Sequence, residues 1–200
     1  MEKIVVYDLD GTLIDVSERL SKSLEEVGIQ SLEEASDEQY DEVMKIFNSK
    51  KYLDTDKPIE NVIKQLRDEA DEYGVFILTG RVDDAKKATK RQLKDFDIPY
   101  DEVIFVNEDL RDIKATAENK AKQIQELQKQ YEIVKFVDDI KENREAVAKI
   151  IGVDKVQDPK VIEGTAKEEL ETEKTEIENK TKRKSPEQEI TEYALGMTEE

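Results

Sequence analysis

The chain has 200 residues, of which 41% are charged and 36% are hydrophobic, and its formal net charge is -18. This length allows one ordinary domain with an appendage, and the acidity argues against a broad surface that coats nucleic acid. Without cysteine or histidine, the chain cannot form disulfides, thiolate metal sites or any reaction centre that uses those side chains. No apolar run approaches the length of a membrane span, and Met1–Tyr7 is too short for a signal segment. We therefore expect a cytoplasmic protein with no membrane partner.

Short apolar runs alternate with amphipathic segments along most of the chain. Predicted buried strands lie at Ile4–Tyr7, Val75–Leu78, Val103–Val106 and Ile133–Val137, with a shorter candidate at Val153–Val156. Predicted helices open at Pro58 and cover Val82–Lys94, Ala115–Tyr131 and Asn143–Ile151. This order predicts an α/β fold of the Rossmann-like kind, a parallel sheet flanked by helices. Ligands of such sheets bind at the carboxyl ends of the strands.

Two segments depart from this alternation. Residues 16–53 carry no strand pattern, but Leu20, Leu24 and Val27 fit one helix, and Tyr40, Val43, Met44 and Phe47 fit a second. We interpret 16–53 as a small helical cap inserted after the first strand of a core that spans residues 1–160. From 161 to 200 apolar residues become sparse, which predicts an acidic tail that is mobile or partly helical. The end of this tail could bind a protein partner.

The strongest chemical signal is Asp8-Leu9-Asp10-Gly11-Thr12-Leu13 at the end of the first predicted strand. Residues two apart in an extended segment project to the same side, so Asp8 and Asp10 can face one site. Their mutual repulsion would be relieved by a divalent cation, and Gly11 would allow a sharp turn. One carboxylate could attack phosphorus while the other, when protonated, serves the leaving group. The alternative is a polar strand end or a simple cation site.

This motif, extended through Ile14-Asp15, resembles the first motif of the haloacid dehalogenase (HAD) superfamily of phosphohydrolases, and further motifs follow in the expected order over roughly residues 1–158. The resemblance implies a phosphoaspartate on Asp8, with Asp10 as the acid and base. Leu78-Thr79-Gly80-Arg81 resembles the second motif, and its hydroxyl and backbone N–H groups suit a phosphate oxygen. The resemblance thus implies that Thr79, Gly80 and Arg81 bind the substrate.

The resemblance also implies a lysine that stabilises the charge on the transferred phosphoryl group. Lys114, Lys120 and Lys122 are the candidates in the segment where it is expected. Lys120 shares a helical face with Ile124 and Leu127, so it should point toward the sheet, where a lysine needs an anionic partner. Lys120 is therefore predicted to be catalytic, with Lys122 as the main alternative.

The fourth motif is Phe136-Val137-Asp138-Asp139, an apolar strand that runs directly into two acids. Mg²⁺ prefers oxygen ligands and takes few carboxylates. The resemblance implies that Asp8, the backbone carbonyl of Asp10, and Asp138 hold the ion, while Asp139 assists coordination or orients the lysine. Asn143 could support these groups from one turn beyond. The structural alternative is that Asp139 caps the following helix.

The sequence allows more than one hypothesis for the molecule on which this chain acts. A HAD phosphatase that acts on a small phosphomonoester, such as a nucleotide or sugar phosphate, is the leading hypothesis. Tyr52–Pro58 together with the later motifs also resembles the 3′-phosphatase part of phage-type polynucleotide kinase–phosphatases, although the chain has no kinase phosphate-binding loop. Lys86, Lys90 and Lys94 form a basic stripe that would suit a nucleic-acid 3′-phosphate end, or simply a solvated helix face. A third hypothesis is a non-catalytic phosphate-binding or scaffold protein.

Overall fold

The computed structural model describes residues 1–81, 83–106 and 113–162 of the chain. Five parallel strands form one sheet, in the spatial order β5-β4-β1-β6-β7. The strands are β1 (Glu2–Tyr7), β4 (Gly74–Thr79), β5 (Glu102–Phe105), β6 (Tyr131–Val137) and β7 (Val156–Gln157). The predicted α/β fold, a Rossmann-like sheet flanked by helices, is confirmed.

Four helices follow the strands of this sheet. They are α3 (Glu60–Ala70), α4 (Lys86–Asp95), α5 (Ile113–Leu127) and α6 (Lys141–Ile151). Alternate residues of a strand project to opposite faces, so Val5 and Ile77 pack with α3 and α4, whereas Ile4 and Val6 pack with α5 and α6. The central strand β1 is therefore buried on both faces, and its carboxyl end lies in the middle of the sheet edge.

The inserted segment is helical, as predicted. It contains α1 (Ser17–Val27) and α2 (Asp37–Phe47), which pack against each other. The two-residue strands β2 (Ile14–Asp15) and β3 (Lys57–Pro58) pair antiparallel on either side of the insertion. This short ribbon returns the chain to the core close to the point where it left, next to the end of β1.

Several predicted boundaries are wrong for local reasons. Pro58 does not begin a helix, because it pairs with Ile14 in the ribbon, and α3 starts at Glu60. Tyr131 belongs to β6 rather than to the preceding helix, since its ring packs edge-on against Phe76. The apolar run at 153–156 is mostly a 3-10 turn over Val153–Lys155, which leaves only two residues for β7. Val82, the predicted start of α4, lies outside the described residues.

The folded core continues slightly past Lys160. Ile162 is buried against the cluster that contains Val5 and Leu66. The remaining part of the predicted tail, 163–200, lies outside the described residues, and so does its suggested partner motif. No helix within the described ranges is long and apolar enough to cross a membrane.

Candidate active site

The chain turns sharply where β1 ends, and this turn presents the first pair of acids. The Asp8 backbone N–H donates to Val137 O at 2.8 Å, so β1 and β6 end together. Gly11 has φ +83°, a conformation that favours glycine, and its N–H donates to Ile14 O at 2.8 Å. A Cβ on Gly11 would also overlap the Asp139 carboxylate. The glycine therefore allows the two acidic motifs to approach each other closely.

Lys120 lies between the acids of the two strand ends. Its Nζ donates to Asp8 Oδ1 at 2.6 Å and to Asp138 Oδ2 at 2.7 Å, and all three side chains are almost fully buried. Burial alone would lower the pKa of Lys120, but the two carboxylates raise it, so the lysine is a permanent cation. Ile124 and Leu127 share its buried face, as predicted.

The lysine alternatives are not at this position. Lys122 is exposed, and its ammonium donates only weakly to Asn119 Oδ1, at 3.5 Å. The side chain of Lys114 lies outside the described residues. Of the two described candidates, Lys120 is thus the one that contacts the acids.

Asp138 is fixed by more groups than any pattern in the sequence indicates. Asn143 Nδ2 donates to both of its carboxylate oxygens at 3.0 Å, and the Ile140 N–H donates to Asp138 Oδ1 at 2.9 Å. Arg144 Nη1 donates to the backbone oxygens of Asp138 and Asp139, each at 2.7 Å. Arg144 Nη2 pairs with Asp158 Oδ2 at 2.7 Å. The residue before α6 is Ile140 and no side chain caps the helix, so the alternative role of Asp139 as the cap is not observed.

Three carboxylates converge at this sheet edge. Oxygens of Asp8, Asp138 and Asp139 lie within 4.8 Å of one another. Burial, together with the charges of Asp138 and Asp139, raises the pKa of Asp8 despite Lys120. Burial and the Asp138 charge raise the pKa of Asp139 to about 6. Among the described residues, these three carboxylates, when all are ionised, face one lysine, and this shortfall of two positive charges suits a divalent cation.

The carboxylate of Asp10 occupies different surroundings from these three. Arg81 binds it in a two-point contact, Nε to Oδ2 at 2.9 Å and Nη2 to Oδ1 at 2.6 Å. Arg19 Nη2 adds a contact to Oδ1 at 2.5 Å. Burial would raise the pKa of Asp10, but the two guanidinium groups outweigh it and lower the pKa to about 2. The side chain of Asp10 is therefore an ionised carboxylate held by arginines, while its backbone carbonyl remains the group expected to meet a metal ion.

Asp56 completes this second group, which we call the arginine–aspartate cluster (Arg19, Arg81, Asp10 and Asp56). Arg19 Nε lies 3.0 Å from Asp56 Oδ1, an ion pair without hydrogen-bond alignment, and Arg81 Nη2 lies 3.3 Å from Asp56 Oδ2. Gln92 accepts from Arg81 Nη1 at 2.8 Å and donates to Asp56 Oδ2 at 2.9 Å. Two positive charges therefore balance two negative charges.

No pattern in the sequence indicates that the cap contributes an arginine to this cluster. The predicted apolar face of α1, with Leu20, Leu24 and Val27, is only half-buried. Its fully buried residues are Arg19 and Ser23, and the Phe47 ring of α2 lies 4.4 Å from the guanidinium of Arg19. A charged residue on this face is tolerated because Asp10 and Asp56 neutralise it.

The predicted phosphate-binding turn lies beside the first motif. Tyr7 pairs with Ile77, so Thr79, two residues further along β4, lies level with the segment between Asp8 and Asp10. Thr79 is buried, and its Oγ1 accepts from the Arg81 N–H at 3.2 Å. Gly80 is half-buried between them. Arg81 itself points to Asp10, so the predicted substrate-binding arginine holds a carboxylate in this structure.

The comparison with protein families agrees with this arrangement of motifs. The family model described as HAD superfamily, subfamily IIIB (Acid phosphatase) matches residues 1–150. The chain belongs to the HAD superfamily. Family membership makes this chain a HAD-type phosphatase, and the match covers most of the core, the inserted helices and every predicted site residue. No protein with a curated description matches it.

Solved structures share the fold of this HAD phosphatase. A haloacid dehalogenase-like hydrolase from Streptococcus pneumoniae is similar with a TM-score of 0.53 and 18% identity, over 78% of this chain and 83% of that one. A chain of the Pnkp1/Rnl/Hen1 RNA repair complex is similar with a TM-score of 0.53 and 19% identity over 79% of this chain. This HAD phosphatase spans only 42% of that repair chain. At such identities, the likeness concerns the fold alone.

Proposed function

We propose that this HAD phosphatase is Mg²⁺-dependent and hydrolyses a phosphomonoester, with Asp8 as the nucleophile and Lys120 as the charge-stabilising group. The observation that carries the proposal is the convergence of three carboxylates and one buried lysine, a group that is two positive charges short of neutrality in the part of the chain that the structure describes. The oxygens of Asp8, Asp138 and Asp139 and the backbone carbonyl of Asp10 would hold the ion. When bound, Mg²⁺ would neutralise charge on the phosphate and the carboxylates.

The buried Asn143 supports this fit. Its Oδ1 has no hydrogen-bond partner among the described residues, although its Nδ2 binds Asp138. A buried acceptor without a partner is costly, and a water molecule of a hydrated cation would satisfy it. The acids are thus positioned, by Asn143 and Arg144, for a ligand that carries both positive charge and hydrogen-bond donors.

Each residue of the chain has a role that follows from its contacts. Asp8 Oδ1 is occupied by Lys120, whereas Oδ2 has only a long contact of 3.4 Å from the Thr12 hydroxyl, so Oδ2 is the freer oxygen for attack on phosphorus. The new Asp8–phosphorus bond forms as the bond to the leaving oxygen breaks. Thr79 and the turn of Gly80 would orient the phosphate oxygens, and Lys120 offsets the charge on the nucleophile and the phosphoryl group.

Asp10 would transfer the protons. The arginines hold it ionised, which suits its second role, the removal of a proton from the water that hydrolyses the phosphoaspartate. Its first role, donation of a proton to the leaving oxygen, requires that the carboxylate first take up a proton from solvent water as the contacts with Arg19 and Arg81 loosen. The leading substrate is a small phosphorylated metabolite or nucleotide.

A second candidate is the removal of 3′-phosphates from nucleic-acid ends. The fold resembles a chain of an RNA repair complex, and α4 presents Lys86, Lys90 and Lys94 on an exposed surface. Lys86 Nζ also lies 5.4 Å from the centre of the Phe105 ring, at the end of β5. These features favour an extended anionic substrate, although the likeness alone concerns only the fold.

The test is phosphate release from a panel of nucleotides, sugar phosphates and 3′-phosphorylated oligonucleotides, with Mg²⁺ and with EDTA. We expect turnover only with the metal ion, and complete loss of turnover on every substrate in Asp8→Asn. Asp10→Asn should accumulate a phosphorylated protein, detectable by mass spectrometry after acid quenching. Asp68→Asn removes an exposed carboxylate and serves as the matched control. A fully active Asp8→Asn protein would reject the proposal.

A further inference from the structure

A groove lies between α4 and the segment that follows α2. Its volume is about 720 Å³. We call it the basic groove because it is lined by four cationic side chains, Lys50, Lys51, Lys87 and Arg91. Leu53 and Phe96 add apolar surface, and Asp54, Asp56 and Asp95 are the acids of the lining.

Positive charge predominates in this groove, although the chain as a whole is strongly acidic. Asp56 is already neutralised by two arginines, so among the described residues the four cations face Asp54 and Asp95 in the lining and Glu26 beside it. Lys51 pairs with Glu26 at 2.6 Å and Arg91 with Asp95 at 3.6 Å. Lys50 and Lys87 form no ion pair within the described part of the chain, so both are available to an anionic ligand.

The groove also adjoins the proposed catalytic centre. Gln92 and Asp56 form part of its wall, and both contact Arg81. Arg81 in turn binds Asp10. Two side-chain contacts therefore connect the wall of the groove to the acid that would serve the leaving group. In a substrate whose phosphomonoester lies at Asp8, the organic part begins at the leaving oxygen. Because that oxygen would lie at Asp10, the rest of the substrate would start close to the wall of the groove.

We infer that the basic groove binds a second phosphate group of the substrate, distal to the phosphomonoester that is hydrolysed. The inference rests on the proposed function and narrows its substrate to molecules with at least two phosphates. Lys50 and Lys87 supply the charge from opposite sides of the groove, while Leu53 and Phe96 cover the organic part between the phosphates. The second phosphate belongs either to a small bisphosphate or to the backbone of a nucleic-acid strand.

The experiment compares three substrates, p-nitrophenyl phosphate, a nucleoside 3′,5′-bisphosphate and a 3′-phosphorylated oligonucleotide. The variant is the double substitution K50Q/K87Q. Its matched control is K129Q/K141Q, which removes two exposed lysines away from the groove. Each KM is divided by the KM for p-nitrophenyl phosphate measured on the same protein, so that any general effect on the catalytic centre cancels.

We expect the wild-type ratio to favour the substrates with two or more phosphates, and K50Q/K87Q to raise that ratio roughly tenfold at low salt. For the oligonucleotide, the slope of log KM against log salt should fall by about 0.7, because the groove neutralises one phosphate and each single-strand phosphate contact contributes about 0.7. A change for both substrates assigns the groove to one nearby phosphate, whereas a change for the oligonucleotide alone assigns it to the strand backbone.

Equal ratios in K50Q/K87Q and K129Q/K141Q would overturn the inference while leaving the phosphatase activity established. Failure of the wild-type protein to hydrolyse any of the three substrates with Mg²⁺ would instead reject the proposed function. In that case the groove is tested by fluorescence anisotropy of the labelled oligonucleotide. Loss of oligonucleotide binding in K50Q/K87Q would support a phosphate-binding role of the basic groove. Unchanged binding in the variant, or undetectable binding to the wild-type protein, would reject that role.

Discussion

Two groups of charged residues lie side by side at the carboxyl edge of the sheet, and their charge balance differs. In the arginine–aspartate cluster, two guanidinium groups neutralise Asp10 and Asp56. In the carboxylate group of Asp8, Asp138 and Asp139, Lys120 is the one cation of the described residues that offsets three negative charges. The pKa of Asp10 is accordingly lowered, whereas burial and mutual repulsion raise those of Asp8 and Asp139.

This difference separates a structural role from a ligand-binding role. A balanced buried cluster is complete, so removing one member exposes the others to an uncompensated burial cost. An unbalanced cluster stores repulsion that a cation relieves, so removing one acid stabilises the protein when no cation is bound. The two groups should therefore respond to substitution with opposite signs.

The largest effect is expected in the balanced cluster. Arg81→Gln leaves Asp10 and Asp56 with Arg19 as their only cation, and we expect the free energy of unfolding to fall by about 3–5 kcal/mol. The measurement is urea denaturation with EDTA present. Arg67→Gln is the control, since Arg67 is more exposed, pairs with Asp97 at 3.6 Å and donates to the backbone oxygens of Phe96 and Asp97; it should lose about 1–2 kcal/mol.

A double variant tests whether charge balance is the cause. R81Q/D56N restores one cation to one carboxylate, so its loss of stability should be smaller than the sum of the two single losses. Additive losses, or an Arg81→Gln protein as stable as Arg67→Gln, would contradict the interpretation of this cluster.

The same comparison explains which parts of the molecule could be predicted from the sequence. The strands at Ile4–Tyr7 and Ile133–Val137, and the acids that follow them, were predictable because a buried run that ends in carboxylates is a local pattern. Lys120 was predictable from its helical face, since Ile124 and Leu127 mark the side that meets the sheet.

The arginine–aspartate cluster was not predictable in this way. Arg19 lies near the start of the cap insertion and Asp56 lies just after its end, and the ribbon of β2 and β3 brings these two parts of the chain together. The motif around Arg81 is local in the sequence and implies a substrate-binding role. The contact of Arg81 with Asp10 depends instead on the packing of β4 beside β1, which no local pattern indicates. The helix predicted to open at Pro58 is wrong for the same reason, because the strand partner of Pro58, Ile14, is distant in the sequence.

A smaller effect of opposite sign is expected in the carboxylate group. Asp139→Asn removes one of three neighbouring negative charges and keeps an oxygen that can accept from Thr12. At pH 7.5 in EDTA, we expect the free energy of unfolding to rise by about 2 kcal/mol, and the stabilisation of the protein by Mg²⁺ to become smaller. Asp68→Asn, the exposed control, should change neither quantity. A destabilised Asp139→Asn protein would show that the acids are balanced by groups other than a cation.

The smallest effect is a difference in pH dependence between the metal-free protein and the protein with Mg²⁺. In the folded chain the pKa of Asp139 is about 6, above its unfolded value of about 3.9, so the folded state binds a proton more tightly. Stability without metal should therefore fall as pH rises from 4 to 6, by about 1 kcal/mol between pH 5 and 6.

Asp10 acts in the opposite direction: its pKa of about 2 stabilises the folded state above pH 4, and this contribution is lost as pH falls toward 2. Saturating Mg²⁺ should remove the decline between pH 4 and 6, because the cation favours the ionised acids, and should leave the acid-side loss in place. Urea denaturation across this pH range, with EDTA and with Mg²⁺, measures both changes. Identical profiles under the two conditions would mean that the three acids do not share a cation.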